Sequence, residues 1–207
     1  MAFAYYITAR QQLEPPSVET LRRKVQASLA AGVDYVQLRE KDLAGKHLAT
    51  LISEIQELPE KNRSRRALHL LVNERLDVAL ASGADGVHLP SDSLPLSTVR
   101  ARAGSAAVVG ISCHSEDEVL QAGRDGASYV LVGPVFSTPS KAESRPLGVR
   151  ALREICRRSP APVFALGGVS RDNAESCVRA GAVGVAGIRL FQQTSDLAEL
   201  TRYLHAL

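Results

Sequence analysis

Eight short apolar runs punctuate the chain at regular intervals, and the stretches between them follow a different period. The runs are AYYIT to Thr8, YVQLRE through Arg39, HLLVN to Asn73, GVHLP near His88, VVGISCH to His114, YVLVGPV into Thr138, VFALGG to Gly168 and VGVAGIRLF around Ile188. Each reads as a strand. The gaps read as helices: Val18, Leu21, Val25 and Leu29 lie at helical spacing, and Val149, Leu152 and Ile155 recur every three residues. Ser115 with Glu118 forms a capping-box pattern that opens a helix directly after His114. A strand-then-helix rhythm repeated eight times predicts a single α/β domain over residues 1–207, a (β/α)8 TIM barrel.

An open doubly wound sheet also alternates strands and helices. It is disfavoured because no GxGxxG follows the first strand, and eight units in 207 residues close into a barrel more readily than they extend a sheet. In a barrel, chemistry collects at the C-terminal strand ends, and loops after the seventh and eighth strands commonly bind phosphate. Gly167, Gly168, Gly187 and Ile188 fall there, before a helix expected near Ser170. Glycines allow backbone N–H groups close to an anion, although a pair of glycines also makes a tight turn with no ligand. Pro134, Pro139 and Pro146 cluster with Ser137, Thr138, Ser140 and Lys141 in the longest irregular connection, of the kind that folds over a ligand.

Composition narrows the classes. At 45% hydrophobic and 23% charged the chain suits a globular domain, and no apolar stretch approaches the roughly 18 residues of a membrane span. The start, MAFAYYIT, has no secretory pattern, so a cytoplasmic location is expected. A net charge of +3 and 4% aromatics give no platform for nucleic acid, and the basic cluster from Lys61 to Arg66 reads as a solvated connection. Cys113, Cys156 and Cys177 are too far apart for a CxxC metal site and are expected as reduced thiols. The apolar faces that cover a barrel leave a homodimer open.

VQLREKD, LVNERLDVALASGADGVHLPSDSL, GISCHS, YVLVGPVFSTPSK and VFALGGVSRDNAESCVRAGAVGVAG resemble, in order and spacing, the superfamily of thiamine-phosphate synthases and TenI proteins, from Tyr5 to about Phe191. For the synthase, the resemblance implies that a Mg²⁺-bound pyrimidine diphosphate loses pyrophosphate and a thiazole phosphate captures the cation. Diphosphate-binding residues then fall on Gln37, Arg39, Lys41, Asn73, Ser112, Thr138, Ser140 and Lys141, and the thiazole phosphate on Gly168, Gly187, Ile188 and Arg189.

Two positions depart from the synthase pattern. Its paired Mg²⁺ aspartates are replaced by Glu74 and Ser93, and a serine is a poor magnesium ligand. Asp92 is adjacent but, as a neighbour in the chain, is expected to point elsewhere. Arg189 stands where synthases usually carry serine. These departures resemble the TenI branch, whose tautomerases aromatise a dihydrothiazole phosphate carboxylate by moving a proton, without a metal or other cofactor.

The family's acid/base histidine maps onto His114, and histidine is the side chain best suited to accept and donate a proton near neutral pH. Arg39 and Lys41 are expected to anchor the substrate carboxylate, with Glu40 a second proton-transfer group. His88, His47, His69 and His205 are expected in structural or surface roles, and Cys113 as a small buried residue facing away from His114. The leading expectation is a tautomerase acting on a phosphorylated thiazole. The alternatives are a synthase using Mg²⁺ at Glu74 and Asp92, and a non-catalytic barrel that binds thiazole or thiamine phosphates.

Overall fold

A computed structural model describes residues 1–59, 68–139 and 145–207 of the chain. The basic cluster from Lys61 to Arg66 lies outside them, as do Ser140 and Lys141. Among the described residues, β1 (Phe3–Ile7), β2 (Tyr35–Leu38), β3 (His69–Asn73), β4 (Gly86–Leu89), β5 (Val108–Cys113), β6 (Tyr129–Val132), β7 (Val163–Leu166) and β8 (Gly184–Gly187) pair in parallel and in order, β8 closing on β1. The expected (β/α)8 barrel is what forms.

The strands are followed by α1 (Val18–Ala30), α2 (Gly45–Gln56), α3 (Leu76–Ser82), α4 (Leu96–Ala103), α5 (Glu116–Arg124), α6 (Gly148–Arg158) and α7 (Arg171–Arg179). A short α8 (Arg189–Gln192) precedes α9 (Leu197–Ala206). α1 starts where Ser17 accepts from the Thr20 N–H, and it buries Leu21, Val25 and Leu29, while Val18 of the expected stripe stays exposed. α5 is capped by Ser115, which accepts from the Glu118 N–H. The Glu118 carboxylate reaches back one residue further than a capping box requires and accepts from the His114 N–H at 2.7 Å. No described helix is long and apolar enough to cross a membrane.

Alternation along each strand separates two cores. Outward-facing Ala4, Tyr6, Val36, Leu38, Leu70, Val72, Val130 and Val132 pack against the helices. Inward-facing Tyr5, Ile7, Leu71, Tyr129, Leu131, Phe164 and Ala186 fill the barrel. Tyr5, Tyr35, Tyr129 and Phe164 meet mostly edge to face, with ring centroids 5.1–5.8 Å apart, and such contacts add roughly 0.5–1.5 kcal/mol each beyond burial. Gly110 makes the room: it pairs with Tyr129, and a side chain there would enter the Tyr129 ring. These four aromatics thus form a closely packed plug beneath the C-terminal mouth.

Candidate active site

Above the plug, the C-terminal strand ends enclose a cavity of about 580 Å³. Gln37, Arg39, Lys41, Asn73, Ser112, His114, Thr138, Gly167, Gly168, Gly187, Ile188 and Arg189 all line it, as the strand ends and the family resemblance together led us to expect. Leu131, Leu166, Ala186 and Ile188 supply an apolar wall suited to a flat ring.

Glu40 is the exception among the expected catalytic groups. It does not line the cavity; it is buried, with its carboxylate accepting from Thr8 Oγ1 at 2.6 Å and from the Arg10 N–H at 3.1 Å. Burial raises its pKa, and these bonds partly offset the rise. It braces β1 against the end of β2, which is a correction to its expected role in proton transfer.

A second correction concerns the carboxylates. Asp92 lines the cavity with Glu74, whereas Ser93 lines a smaller neighbouring hollow and donates its hydroxyl to the Leu94 carbonyl at 3.0 Å. Alternation does not apply across the turn after β4, so the residue next to the expected position is the one that faces the mouth. Glu74 adopts a left-handed backbone, φ +61°, which is costly for a residue with a side chain and is typical of functional sites. Its N–H is held by the His88 carbonyl at 2.9 Å, and its carboxylate accepts from Asn73 Nδ2 at 2.7 Å. Two carboxylates lining one cavity are the donor type that suits Mg²⁺, which is commonly held by one or two carboxylates together with substrate phosphates and water.

His114 projects from the end of β5. Its Nδ1 lies 2.5 Å from the Gly133 carbonyl oxygen, an acceptor only, so Nδ1 carries the hydrogen. In the neutral ring Nε2 is then the proton-accepting nitrogen. Cys113 faces the outer core, as expected, and burial together with Glu118 pushes its thiol up to about 12, far from a nucleophile.

His88 is packed and hydrogen-bonded, as expected of a structural histidine, and it also reaches the cavity. It is buried yet lines the cavity, with Nδ1 3.0 Å from the Tyr129 hydroxyl and Nε2 3.0 Å from Ser112 Oγ. Burial, helped by Arg39, pushes it down to about 3, so it is neutral. His205 is also partnered, its Nε2 2.8 Å from Asp34 at the opposite end of the barrel.

Across the cavity, Gly167 and Gly168 have φ of +89° and +66°, and side chains there would meet Pro134, Phe136 and Ser137. The turn and the close approach of the preceding loop both demand glycine. Asn173, in the first turn of α7, donates to the Gly168 carbonyl at 3.0 Å and so holds the turn in place. Arg189 donates to Thr138 Oγ1 at 3.2 Å, joining the loops that follow β6 and β8.

The family profile described as thiamine monophosphate synthase matches residues 4–191. The chain belongs to this family. A putative thiamine-phosphate synthase 2 from Aquifex aeolicus is 40% identical over 187 residues, which is 90% of this chain and 96% of that protein. A thiamine-phosphate synthase from Roseiflexus castenholzii is 40% identical over 201 residues, covering 97% and 85%. Among solved structures, a thiamine phosphate pyrophosphorylase from Pyrococcus furiosus superposes with a TM-score of 0.84 at 28% identity, covering 99% of this chain and 94% of that one. Within the thiamine monophosphate synthase family, these names side with the synthase, and none singles out the TenI branch.

Proposed function

We propose that this member of the thiamine monophosphate synthase family couples a hydroxymethylpyrimidine diphosphate to a thiazole phosphate and releases pyrophosphate. The observation that carries this reading is that Glu74 and Asp92 both line the cavity that Arg39, Lys41 and Asn73 also line. That lining supports a metal site despite Ser93, and it agrees with the names of the relatives.

Arg39 and Lys41 hold the diphosphate oxygens and stabilise the charge that builds there as the methylene C–O bond breaks. Glu74 and Asp92 would hold Mg²⁺, which supplies further positive charge to the leaving diphosphate. The apolar wall of Leu131, Leu166 and Ile188 keeps water from the pyrimidine cation, so that the thiazole nitrogen captures it. Backbone N–H groups around Gly168 and Gly187, with Arg189, hold the thiazole phosphate on the opposite wall and fix the direction of attack. Ser140 and Lys141, which lie outside the described residues, are proposed as further diphosphate ligands.

One observation favours a second reading. The His114–Gly133 bond presents Nε2 as a base, and Ser93 and Glu74 stand where synthases carry aspartates. In that reading His114 moves a proton between carbons of the dihydrothiazole phosphate carboxylate while Arg39 and Lys41 hold the carboxylate.

The deciding experiment incubates the purified protein with pyrimidine diphosphate, thiazole phosphate and Mg²⁺, and separately with the dihydrothiazole carboxylate phosphate. Thiamine phosphate in the first mixture is expected. Aromatised thiazole in the second, with no coupling in the first, would overturn the synthase reading, and inertness in both would leave a binding barrel.

A further inference from the structure

Along the floor of the cavity, polar side chains carried on or next to six strands form one unbroken series. Asn73 Nδ2 donates to Glu74, Gln37 Nε2 donates to Asn73 Oδ1 at 2.9 Å, and the Tyr5 hydroxyl reaches Gln37 Oε1 at 3.3 Å. Tyr5 and Tyr129 hydroxyls are 2.7 Å apart; His88 then bridges Tyr129 and Ser112 at 3.0 Å on each side. Each group has a fixed stock of donors and acceptors, so the direction of the series is decidable.

The amide of Asn73 gives its N–H to Glu74, so its oxygen must accept from Gln37. The Gln37 oxygen then faces Tyr5 and accepts its hydroxyl proton. Tyr5 oxygen accepts from Tyr129, Tyr129 oxygen accepts from His88 Nδ1–H, and His88 Nε2 accepts from Ser112. The opposite direction from Tyr5 onward leaves the buried Gln37 oxygen without that donor. It makes one bond fewer, at a cost of roughly 1–3 kcal/mol.

We propose that Tyr5, Tyr129 and His88 are positioning residues that commit the Ser112 proton inward, so that Ser112 Oγ meets the ligand as an acceptor. Ser112 therefore selects a hydrogen-bond donor, such as an amino group on the heterocycle, and does not bind a phosphate oxygen as its sequence position implied. Identifying that heterocycle as the pyrimidine rests on the synthase reading; the direction of the series does not.

Two measurements separate these levels. ¹⁵N NMR of the ligand-free protein, with the His88 signals assigned by His88→Gln, is expected to show Nδ1 protonated and Nε2 pyridine-like. The reverse tautomer would overturn the proposal whatever the protein catalyses. Binding is then compared for a pyrimidine diphosphate bearing a ring amino group and its methoxy analogue, which offers only an acceptor. The wild type is expected to prefer the amino probe by roughly tenfold or more. Tyr129→Phe removes the acceptor for Nδ1–H, frees the tautomer to reverse, and is expected to collapse that preference. An equal loss of affinity for both probes, with the ratio kept, would mark Tyr129 as merely structural and overturn the positioning role.

Discussion

His114 Nδ1 donates to the Gly133 carbonyl across 2.5 Å, tying the end of β5 to the first residue after β6. The contact fixes the ring and its tautomer, and so fixes what the residue can do. His114→Ala is expected to lower any tautomerisation of the dihydrothiazole carboxylate phosphate by roughly 10²–10⁴-fold, the usual worth of a general base. Pyrophosphate release in the coupling assay should stay within about tenfold, since only a hydrogen bond is lost there. Measuring both rates on one preparation checks the division of labour, and a larger loss of coupling would place His114 in the synthase reaction.

Glu74 combines a strained backbone with a carboxylate that lines the cavity. Glu74→Gly relieves a left-handed conformation that costs on the order of 1–2 kcal/mol and adds some unfolded-state entropy. The variant should melt at or slightly above the wild-type temperature while Mg²⁺-dependent coupling falls on the order of a hundredfold. Glu74→Gln keeps the strain and should lose activity without that compensation. A Glu74→Gly protein that melts well below the wild type would show that the left-handed turn is not strained.

The neutral, buried His88 makes stability pH-dependent. Its folded value of about 3 lies below the ordinary 6.5, so between these the unfolded chain binds a proton that the folded chain excludes. The contribution is complete above about pH 6.5 and is lost as pH falls toward about 3, by up to ~1.4 kcal/mol per pH unit. Urea midpoints measured from about pH 7 to about pH 4 should decline less steeply for His88→Gln than for the wild type. Parallel declines would contradict a neutral buried ring.

Gly168→Ala tests the far wall. At φ +66°, with the Phe136 carbonyl carbon 2.8 Å from where the new methyl would lie, the substitution should cost roughly 1–3 kcal/mol of stability. KM for thiazole phosphate should rise more than KM for the pyrimidine diphosphate, which the proposed function places on the opposite wall. An equal rise in both would argue against a phosphate cradle at this turn.

Strand period and spacing were enough to order eight strands and to place Asn73, His114 and Gly168 at one mouth, with Gln37 and Ser112 added by the resemblance, because alternation and strand order are local properties that the barrel only closes. They were not enough for Glu40, whose partner Arg10 lies thirty residues away in the chain. Nor did they settle Asp92 against Ser93, since a turn has no period and its packing alone decides which residue faces the cavity. His88 shows the same limit most clearly: its alternation already pointed inward, but its neutral state and its hold on Ser112 come from Tyr129 and from burial. What the sequence determined by itself was the barrel and the address of its mouth. Which oxygen donates, which accepts, and which carboxylates line one cavity were decided only when distant strands came within hydrogen-bond reach, because hydrogen bonds and desolvation act over a few ångströms of space and not along the chain.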